Sequence, residues 1–381
     1  MAPSGGSSAG AVIVVSHEAS RTGAPVVGVA VLRALRKHGL ATRLVLRWGG
    51  PLEGSLRSAA DASSFEPMRR ARALARTRHH PRMARAIEGA AAALVLLRRR
   101  PAAVWANTVM SGSWVGPALR LRVPVVLHVH ELEPLTSAIL GRYGLDGRWG
   151  RVRLVACSDA ARRDLAEATS VPLDDIGLLP SLVDQHEIAA RAGSKPRRVP
   201  VDGRLVVGAC GSADPRKGFD LFLELAGRFA DGSGEPAVFR WVGAADDSAR
   251  AQAAGVPGVE LVGEVADAVP ELAAMDVVVV PSRADAFPLV VLEAMTLARP
   301  IVAFAVGGIP EQLGESGILV PPEDVDAMAR AVSGLLADAD NRHRRGEQAE
   351  ARAHERFGFD RFEDAVAEII DAVIDAPGRR G

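Results

Sequence analysis

Residues 281–311, PSRADAFPLVVLEAMTLARPIVAFAVGGIPE, decide the fold of the second half of the chain. They follow the apolar, β-branched run at 276–280, which is typical of a buried strand in a parallel sheet. A polar loop comes next, and Pro288 then suits the first turn of a helix that is apolar on every side. Ligands of open α/β sheets bind beyond the carboxyl ends of the strands, so this loop is a candidate binding site.

One charged residue, Glu293, stands inside this apolar helix. No basic residue lies three or four positions away from it, and a buried carboxylate without a partner is costly. Two interpretations remain open: Glu293 forms a structural ion pair with an arginine such as Arg283 or Arg299, or it meets a ligand. A second acid, Asp285, lies eight residues earlier, in the loop that follows the strand.

The chain has 381 residues, enough for two domains that each have a core. Residues 1–200 contain 29 Lys and Arg against 15 Asp and Glu, whereas the remainder contains 17 against 31. This asymmetry predicts two domains with different surfaces. No apolar run reaches the roughly 20 residues that span a bilayer. Cys157 and Cys210 both fall in predicted strands, which favours buried thiols in a reducing cytoplasm.

Both halves alternate strands and helices, which predicts parallel sheets. In the first half we predict a helix at 25–38 and strands at 11–16, 40–47, 102–106, 123–129 and 153–157. The Pro- and Arg-rich segment GSKPRRVPV at 193–201 predicts a linker. In the second half we predict a helix at 219–229 and strands at 205–210, 238–242, 259–262, 276–280 and 301–304.

Residues 67–100 are predicted to form two helices, and they carry ten arginines against one glutamate, Glu88. The simplest interpretation is a solvated face. The alternative is a basic platform for an anionic membrane or a lipid phosphate. The run contains no aromatic residue, so nucleic acid is not an expected partner.

Three strands of the second half are followed by groups that suit a ligand. GSADPRKGFD places Arg216 and Lys217 near the start of a helix, where two cations and free N–H groups suit a diphosphate. Asp285 follows the next strand, and the glycines of VGGIPE follow a third and let backbone approach a ligand closely. An Arg-Lys pair alone is more often ordinary surface charge, but the three segments in this order are specific.

Several common sites are missing from the sequence. There is no G-x-G-x-x-G after the first strand, no P-loop, and neither CxxC nor HExxH. His79 and His80 stand among arginines and do not resemble a metal site. We therefore expect no metal and no cofactor.

These segments together resemble the retaining glycosyltransferases of family 4. In the second half the similar segments are GSADPRKGFDLFLELA, LVGEVAD, MDVVVVPSRADAFPLVVLEAMTLARPIVAFAVGGIPEQL and GILVPPEDVDAMARAV; in the first half they are SHEASRTGAP, LHVHEL and VACSDAARRDL. The resemblance covers nearly all of residues 11–375. Two departures stand out: Asp285 occupies the place of the family's usual Glu, and LLPSLVD replaces a proline-asparagine-glycine segment.

The resemblance implies an α/β protein of the GT-B fold, with two Rossmann-like parallel-sheet domains that face each other across a cleft. A disordered tail at 1–10 would precede an acceptor-side domain at 11–190 and a linker at 191–203. The nucleotide-sugar-binding domain would span 204–360, and a final helix at 361–381 would cross back to the first domain.

The resemblance also implies roles for individual residues. Glu293 would accept hydrogen bonds from the two ribose hydroxyls of a nucleotide-sugar donor. Arg216 and Lys217 would hold the diphosphate and stabilise its charge as it leaves. Asp285 would act as a catalytic residue that orients the donor sugar. The expected donor-binding set is completed by Gly211, Phe287, Pro288 and Leu289.

In the first half, the resemblance makes His130 of LHVHEL a second catalytic residue, which would face the donor sugar. A lone histidine at a strand end is more often a packed core residue, and that alternative stays open. His17, Gly23 and Ala24 would form the loop that approaches the phosphate and the acceptor.

The implied reaction is retaining, metal-independent transfer of a sugar from a UDP- or GDP-linked donor to a hydroxyl of a glycan, a lipid-linked or a small-molecule acceptor. Front-face attack, in which the leaving phosphate oxygen accepts the acceptor's proton, would need no protein nucleophile. A catalytically silent GT-B subunit and a GT-B phosphorylase or epimerase are the alternatives. The expected location is the cytoplasm, with peripheral contact at the inner membrane surface left open.

Overall fold

The computed structural model describes residues 10–67, 81–145, 147–193, 203–230 and 236–375, with Pro81 and Arg82 described by backbone alone. The chain divides into two compact units: the first runs to Pro180 and resumes at Asp360, and the second is Ser181–Phe359. Three predictions lie outside the described residues: the tail at 1–9, residues 68–80 of the basic run, and most of the linker. Each unit is built on one parallel sheet.

The first unit contains a seven-stranded sheet of parallel neighbours. Its strands are β1 (Val12–Ser16), β2 (Thr42–Leu46), β3 (Ala62–Phe65), β4 (Ala103–Asn107), β5 (Val125–Val129), β6 (Arg153–Ala156) and β7 (Gly177–Leu178). They lie in the order β3-β2-β1-β4-β5-β6-β7. Every residue of β1, β4 and β5 is buried, as expected for central strands covered on both faces.

Six described helices follow these strands. They are α1 (Gly23–Lys37), α2 (Glu53–Ala59), α3 (Pro81–Arg99), α4 (Val115–Arg120), α5 (Leu135–Leu140) and α6 (Asp159–Thr169). A 3₁₀ turn at Val109–Trp114 leads from β4 into α4. In α3, the buried residues Ala84, Glu88, Ala91 and Leu96 recur at helical spacing, while the described arginine side chains are exposed.

The second unit contains a six-stranded parallel sheet in the order β10-β9-β8-β11-β12-β13. Its strands are β8 (Leu205–Cys210), β9 (Ala237–Val242), β10 (Val259–Gly263), β11 (Val277–Val280), β12 (Ile301–Phe304) and β13 (Ile318–Val320). Its helices are α7 (Gln185–Ala192), α8 (Phe219–Gly227), α9 (Asp247–Ala254), α10 (Val269–Ala273), α11 (Leu289–Thr296), α12 (Ile309–Leu313), α13 (Val325–Ala337) and α14 (Ala339–Arg356). The core includes edge-to-face contacts of Phe222 with Trp241 and Phe239.

Helix α14 packs against the loops and helices that follow β11 and β12. A Cβ on Gly346 would lie 2.1 Å from the carbonyl oxygen of Ala298, so only glycine allows this approach. The Arg352 guanidinium donates to two carbonyl oxygens of α12. Just after α14, the Phe357 ring meets the Phe287 ring edge to face at 5.6 Å. The loop between β11 and α11 therefore has its apolar side covered by the end of α14.

The last described helix, α15 (Phe359–Ile374), lies with the first unit from Asp360 onward. Its buried residues recur at helical spacing: Phe362, Val366, Ile369, Ile370 and Val373. Its polar side pairs with the end of α1, where Lys37 contacts Glu363 and His38 Nε2 lies 2.9 Å from Asp371. None of the described helices has the length and apolar character needed to span a bilayer.

Two parallel sheets with Rossmann-like alternation confirm the predicted fold class. The second unit begins at Ser181, whereas the prediction ends the first domain at residue 190 and begins the second at residue 204. Helix α7 packs on α10 and α11, and Arg191 forms an ion pair with Asp267. Strands β3, β7 and β13 were not predicted, and all three are short strands on the outer part of a sheet.

Candidate functional site

The loops that follow β8 and β11 are in direct contact. Gly218 has a φ of +73°, and a Cβ there would lie 1.8 Å from the carbonyl oxygen of Pro281. The amide of Arg283 also donates to the carbonyl oxygen of Arg216 at 2.9 Å. A glycine at 218 is thus required both by the left-handed backbone and by the close approach of the two loops.

This contact brings the predicted basic pair to the predicted acid. Lys217 Nζ lies 2.6 Å from Asp285 Oδ2, and Arg216 Nη1 lies 3.8 Å from the same oxygen. The Asp285 and Lys217 side chains are only 12% and 19% exposed, whereas that of Arg216 is 54% exposed. Two cations therefore face one carboxylate beside the strand ends.

The sequence around Lys217 explains this placement. Asp214 Oδ1 accepts a hydrogen bond from the backbone N–H of Lys217 at 2.9 Å and caps the short 3₁₀ turn Pro215–Lys217. Gly211 lies beside the lysine stem, and a Cβ there would be in ordinary van der Waals contact with Lys217 Cδ at 3.4 Å. The Gly211 carbonyl accepts from Trp241 Nε1 at 2.8 Å, which joins the end of β8 to β9.

The third predicted segment meets the same group. The N–H of Gly308 donates to the carbonyl oxygen of Asp285 at 3.1 Å. Gln312 in α12 donates from Nε2 to the carbonyl oxygen of Pro288 at 3.1 Å. Leu289 begins α11 and is partly exposed, while Phe287 is buried. The structure therefore brings together Gly211, Arg216, Lys217, Asp285 and the turn into α11, as the strand-end argument predicts.

Glu293 lies on α11 beneath these loops. Within the described part of the chain, its carboxylate forms neither a hydrogen bond nor an ion pair. Burial raises its pKa to about 6; the positive charge of Arg191 opposes this shift and Asp267 adds to it. Arg191 is itself engaged by Asp267, at 2.5 Å. A partly buried carboxylate is thus left with open acceptor positions.

The structure pairs Glu293 with neither of the two arginines named as structural partners, because both form their bonds elsewhere. Arg283 forms ion pairs with Asp220 and Glu323, each at 2.7 Å. Arg299 donates to the carbonyl oxygens of Leu297 and Met275. The carboxylate of Glu293 remains a candidate ligand-binding group.

The first unit has a pocket of about 190 Å³ beyond the carboxyl ends of β1, β4 and β5. It is lined by Ser16, His17, Glu18, Thr22, Ala24, Pro25, Thr108, Met110 and Glu131. His17 and Ala24 of the predicted acceptor loop are therefore in its wall, and Gly23 is the first residue of α1. Its charged groups are the carboxylates of Glu18 and Glu131, and the described lining contains no Lys or Arg.

Sequence reasoning did not identify Glu131 or Thr108. Thr108 has a φ of +95°, which is unusual for a β-branched residue. The Thr108 hydroxyl and the Val109 N–H both donate to the Glu131 carboxylate. Burial raises the pKa of Glu131, and these hydrogen bonds oppose the shift. A strained residue held this firmly in a pocket wall points to a functional site.

His130 lies at the end of β5, beside this pocket. Its Nε2 is 3.1 Å from Asn107 Oδ1, and Asn107 Nδ2 donates to the carbonyl oxygen of Ala24 at 2.6 Å. Its ring lies 4.1 Å from that of His128. Burial holds the pKa of His130 well below its usual range, and the neighbouring His128 lowers it further. Asn107 was not predicted as a site residue; its signal is a polar residue that ends a fully buried strand.

Among the residues described, no cluster of three or more His, Cys, Asp or Glu side chains has an arrangement suited to a metal ion.

Comparison with known proteins gives the family. The profile described as Glycosyltransferase Family 4 matches residues 21–187, and that described as Glycosyl transferases group 1 matches residues 204–338. The D-inositol 3-phosphate glycosyltransferase of Xylanimonas cellulosilytica is 30% identical over 317 residues, which cover 72% of this chain and 73% of that enzyme. The 2-deoxystreptamine N-acetyl-D-glucosaminyltransferase of Streptomyces fradiae is 35% identical over 186 residues, which cover 46% of this chain and 44% of that enzyme.

The fold also matches a solved structure. The crystal structure of Anabaena HepE in complex with UDP-glucose superposes with a TM-score of 0.75 at 18% identity, covering 95% of this chain and 100% of that one. Profile matches in both units, a relative similar over most of its length, and the shared GT-B fold agree with the resemblance seen in the sequence. The chain belongs to glycosyltransferase family 4.

Proposed function

We propose that this protein transfers a sugar from a UDP- or GDP-linked donor to a hydroxyl group of an acceptor, with retention of configuration and without a metal. The observation that carries the proposal is the group at one sheet edge of the second unit. There, Arg216 and Lys217 meet Asp285, and Glu293 lies nearby with its acceptor positions unfilled.

Each part of a nucleotide sugar has a complement in this group. The two ribose hydroxyls would donate hydrogen bonds to the Glu293 carboxylate, whose acceptor positions are open in the ligand-free protein. Hydrogen bonds to a charged group are worth about 1.5–3 kcal/mol. The diphosphate is an anion that suits the guanidinium of Arg216 and the ammonium of Lys217. Asp285 can then accept hydrogen bonds from sugar hydroxyls while Lys217 turns to the phosphate.

The chemical step needs stabilisation of the leaving group above all. The bond from the anomeric carbon to the phosphate oxygen breaks while the acceptor oxygen bonds to the same face, and the acceptor's proton passes to the leaving phosphate oxygen. Arg216 and Lys217 stabilise the charge that develops on the diphosphate. Retention follows from attack on the face that the leaving group vacates, so the proposal assigns no protein nucleophile.

The pocket of the first unit is our proposed acceptor site. Its hydroxyl, imidazole and carboxylate groups suit a polyhydroxylated ring. The carboxylates of Glu18 and Glu131 would attract an ammonium group and repel a phosphate. Of the two acceptor types named for the relatives above, a cyclitol amine therefore fits this pocket better than an inositol phosphate.

Calorimetry with UDP, GDP and their sugar conjugates tests the donor side. We expect one nucleotide to bind and its sugar conjugate to support transfer; binding without transfer to any acceptor would instead favour a catalytically silent subunit. Failure of all of these nucleotides to bind would overturn the proposal. On the acceptor side, product formation with 2-deoxystreptamine is compared with that for inositol 3-phosphate, and a preference for the phosphate would refute the proposed acceptor class.

A further inference from the structure

Asn107 links three elements of the first unit at the edge where its strands end. It is the last residue of β4, in register with Ser16 of β1 and His128 of β5, and it is fully buried. Its side chain joins the start of α1 to His130, through Ala24 on one side and the imidazole on the other.

The contact with Ala24 fixes which way the amide points. A carbonyl oxygen at 2.6 Å can only be met by the amide N–H, so Nδ2 faces Ala24 and Oδ1 faces His130. Oδ1 is an acceptor, so His130 must donate to it from Nε2. A neutral imidazole has a single N–H, which leaves Nδ1 with a free lone pair. Burial and the neighbouring His128 keep the pKa of His130 low, which agrees with a neutral ring.

We propose that Asn107 is a positioning residue that holds His130 as the Nε2–H tautomer, so that Nδ1 accepts a hydrogen bond from a hydroxyl of the substrate. The inference rests on the proposed function. Within the described residues, His130 Nδ1 has no hydrogen-bond partner. The substrate must therefore supply a hydroxyl hydrogen at this point, and an analogue that is deoxygenated or O-methylated there should react poorly.

The surroundings are built to keep this amide in place. Gly28 in α1 leaves space for it, because a Cβ there would lie 3.1 Å from Asn107 Nδ2. Ser111 Oγ donates to the Asn107 carbonyl at 3.3 Å. The next residue, Thr108, is held at a φ of +95° by its hydrogen bond to Glu131. The amide is thus constrained from α1, from its own backbone and from the loop that follows.

Nitrogen NMR of the full chain with ¹⁵N-labelled histidine tests the tautomer directly. The His130 signals are assigned by their loss in His130→Gln. We expect Nε2 protonated and Nδ1 unprotonated at neutral pH in the parent protein, and a mixture of tautomers in Asn107→Leu, which keeps the side-chain size and removes both hydrogen bonds. A protonated Nδ1 in the parent protein, or an unchanged His130 spectrum in the variant, would overturn the assignment.

Kinetics separate positioning from a merely structural role. In Asn107→Leu we expect kcat to fall about tenfold, equivalent to one hydrogen bond, while the affinity for the free nucleoside diphosphate stays unchanged. Asn341→Leu, at the chain's other asparagine, is the matched control and should leave both unchanged. If Asn107→Leu fails to fold, Gly28→Ala takes the place of that variant in both experiments, because its added methyl group would displace the Asn107 amide.

Replacing His130 with amides of two lengths identifies which ring nitrogen accepts the substrate's hydrogen bond. His130→Asn places an oxygen near the position of Nδ1, whereas His130→Gln places its amide near the position of Nε2. We expect the Asn variant to retain more activity than the Gln variant, and the reverse order would contradict the proposal. If the parent protein shows no transfer at all, the proposed function fails, but the NMR result still decides the tautomer.

Discussion

Replacing Glu293 with Gln should stabilise the second unit at neutral pH and at the same time weaken nucleotide binding. Burial raises the pKa of Glu293 from 4.5 to about 6. The folded state therefore holds this proton more tightly than the unfolded chain, and ionising the carboxylate opposes folding. The favourable contribution of the protonated form is complete below about pH 4.5 and is lost as the pH rises through about 6.

The size of the effect follows from the shift. About 1.5 pKa units correspond to about 2 kcal/mol of unfolding free energy at pH 7, and this is an upper value because Glu293 is only partly buried. For a unit of this length, that corresponds to a rise in melting temperature of about 4–8 °C. Calorimetry should show the same variant losing about 1.5–3 kcal/mol of affinity for the nucleotide.

Thermal unfolding of both proteins across pH 4–8 is the decisive assay. The difference in stability should be near zero at about pH 4 and reach its full value above pH 6. Glu315→Gln, at an exposed carboxylate, is the matched control and should show neither effect. The reasoning is refuted if Glu293→Gln is less stable than the parent at neutral pH, or if its nucleotide affinity is unchanged.

Three other changes have definite outcomes. Arg216→Ala combined with Lys217→Ala should lower turnover by orders of magnitude, because leaving-group stabilisation acts on the transition state. The activity of the parent protein should survive EDTA. Strict dependence of that activity on a divalent ion would contradict the assignment. Gly218→Ala should destabilise the second unit in thermal unfolding, because its Cβ meets Pro281 at 1.8 Å, whereas Gly227→Ala has open space and should be tolerated. If the basic surface around α3 binds membranes, co-sedimentation should occur with anionic vesicles at low salt and fade at high salt, and no binding at low salt would retire that hypothesis.

The central strands could be predicted from the sequence because burial on both faces leaves a continuous apolar run. β8 and β12 begin and end where that pattern predicts. β3 reads ASSF, β7 has two residues, and β13 has three. Such short strands carry no periodic pattern, so the order of the sheet edges could not be predicted.

The candidate site also has features that could be predicted from the sequence and features that could not. Arg216, Lys217 and Asp285 could be brought together from sequence, because the carboxyl ends of parallel strands share one edge of the sheet. The 2.6 Å contact of Lys217 with Asp285 could not, since it depends on how closely two loops approach. Asn107 was missed because its partners lie on α1 and after β5, and nothing in the sequence near it shows that these meet.

The position of α14 has a consequence for how the chain folds during synthesis. Synthesis runs from the amino terminus, so the loop that carries Asp285 and Phe287 leaves the ribosome well before Phe357 does. Until then Phe287 lacks its aromatic neighbour, and the close approach of Gly346 to Ala298 cannot form. The nascent chain therefore leaves Phe287 uncovered beside its proposed nucleotide-binding groups, which makes this loop a candidate target for a chaperone. Ligand affinity should appear only late in translation, when the last turns of α14 have emerged.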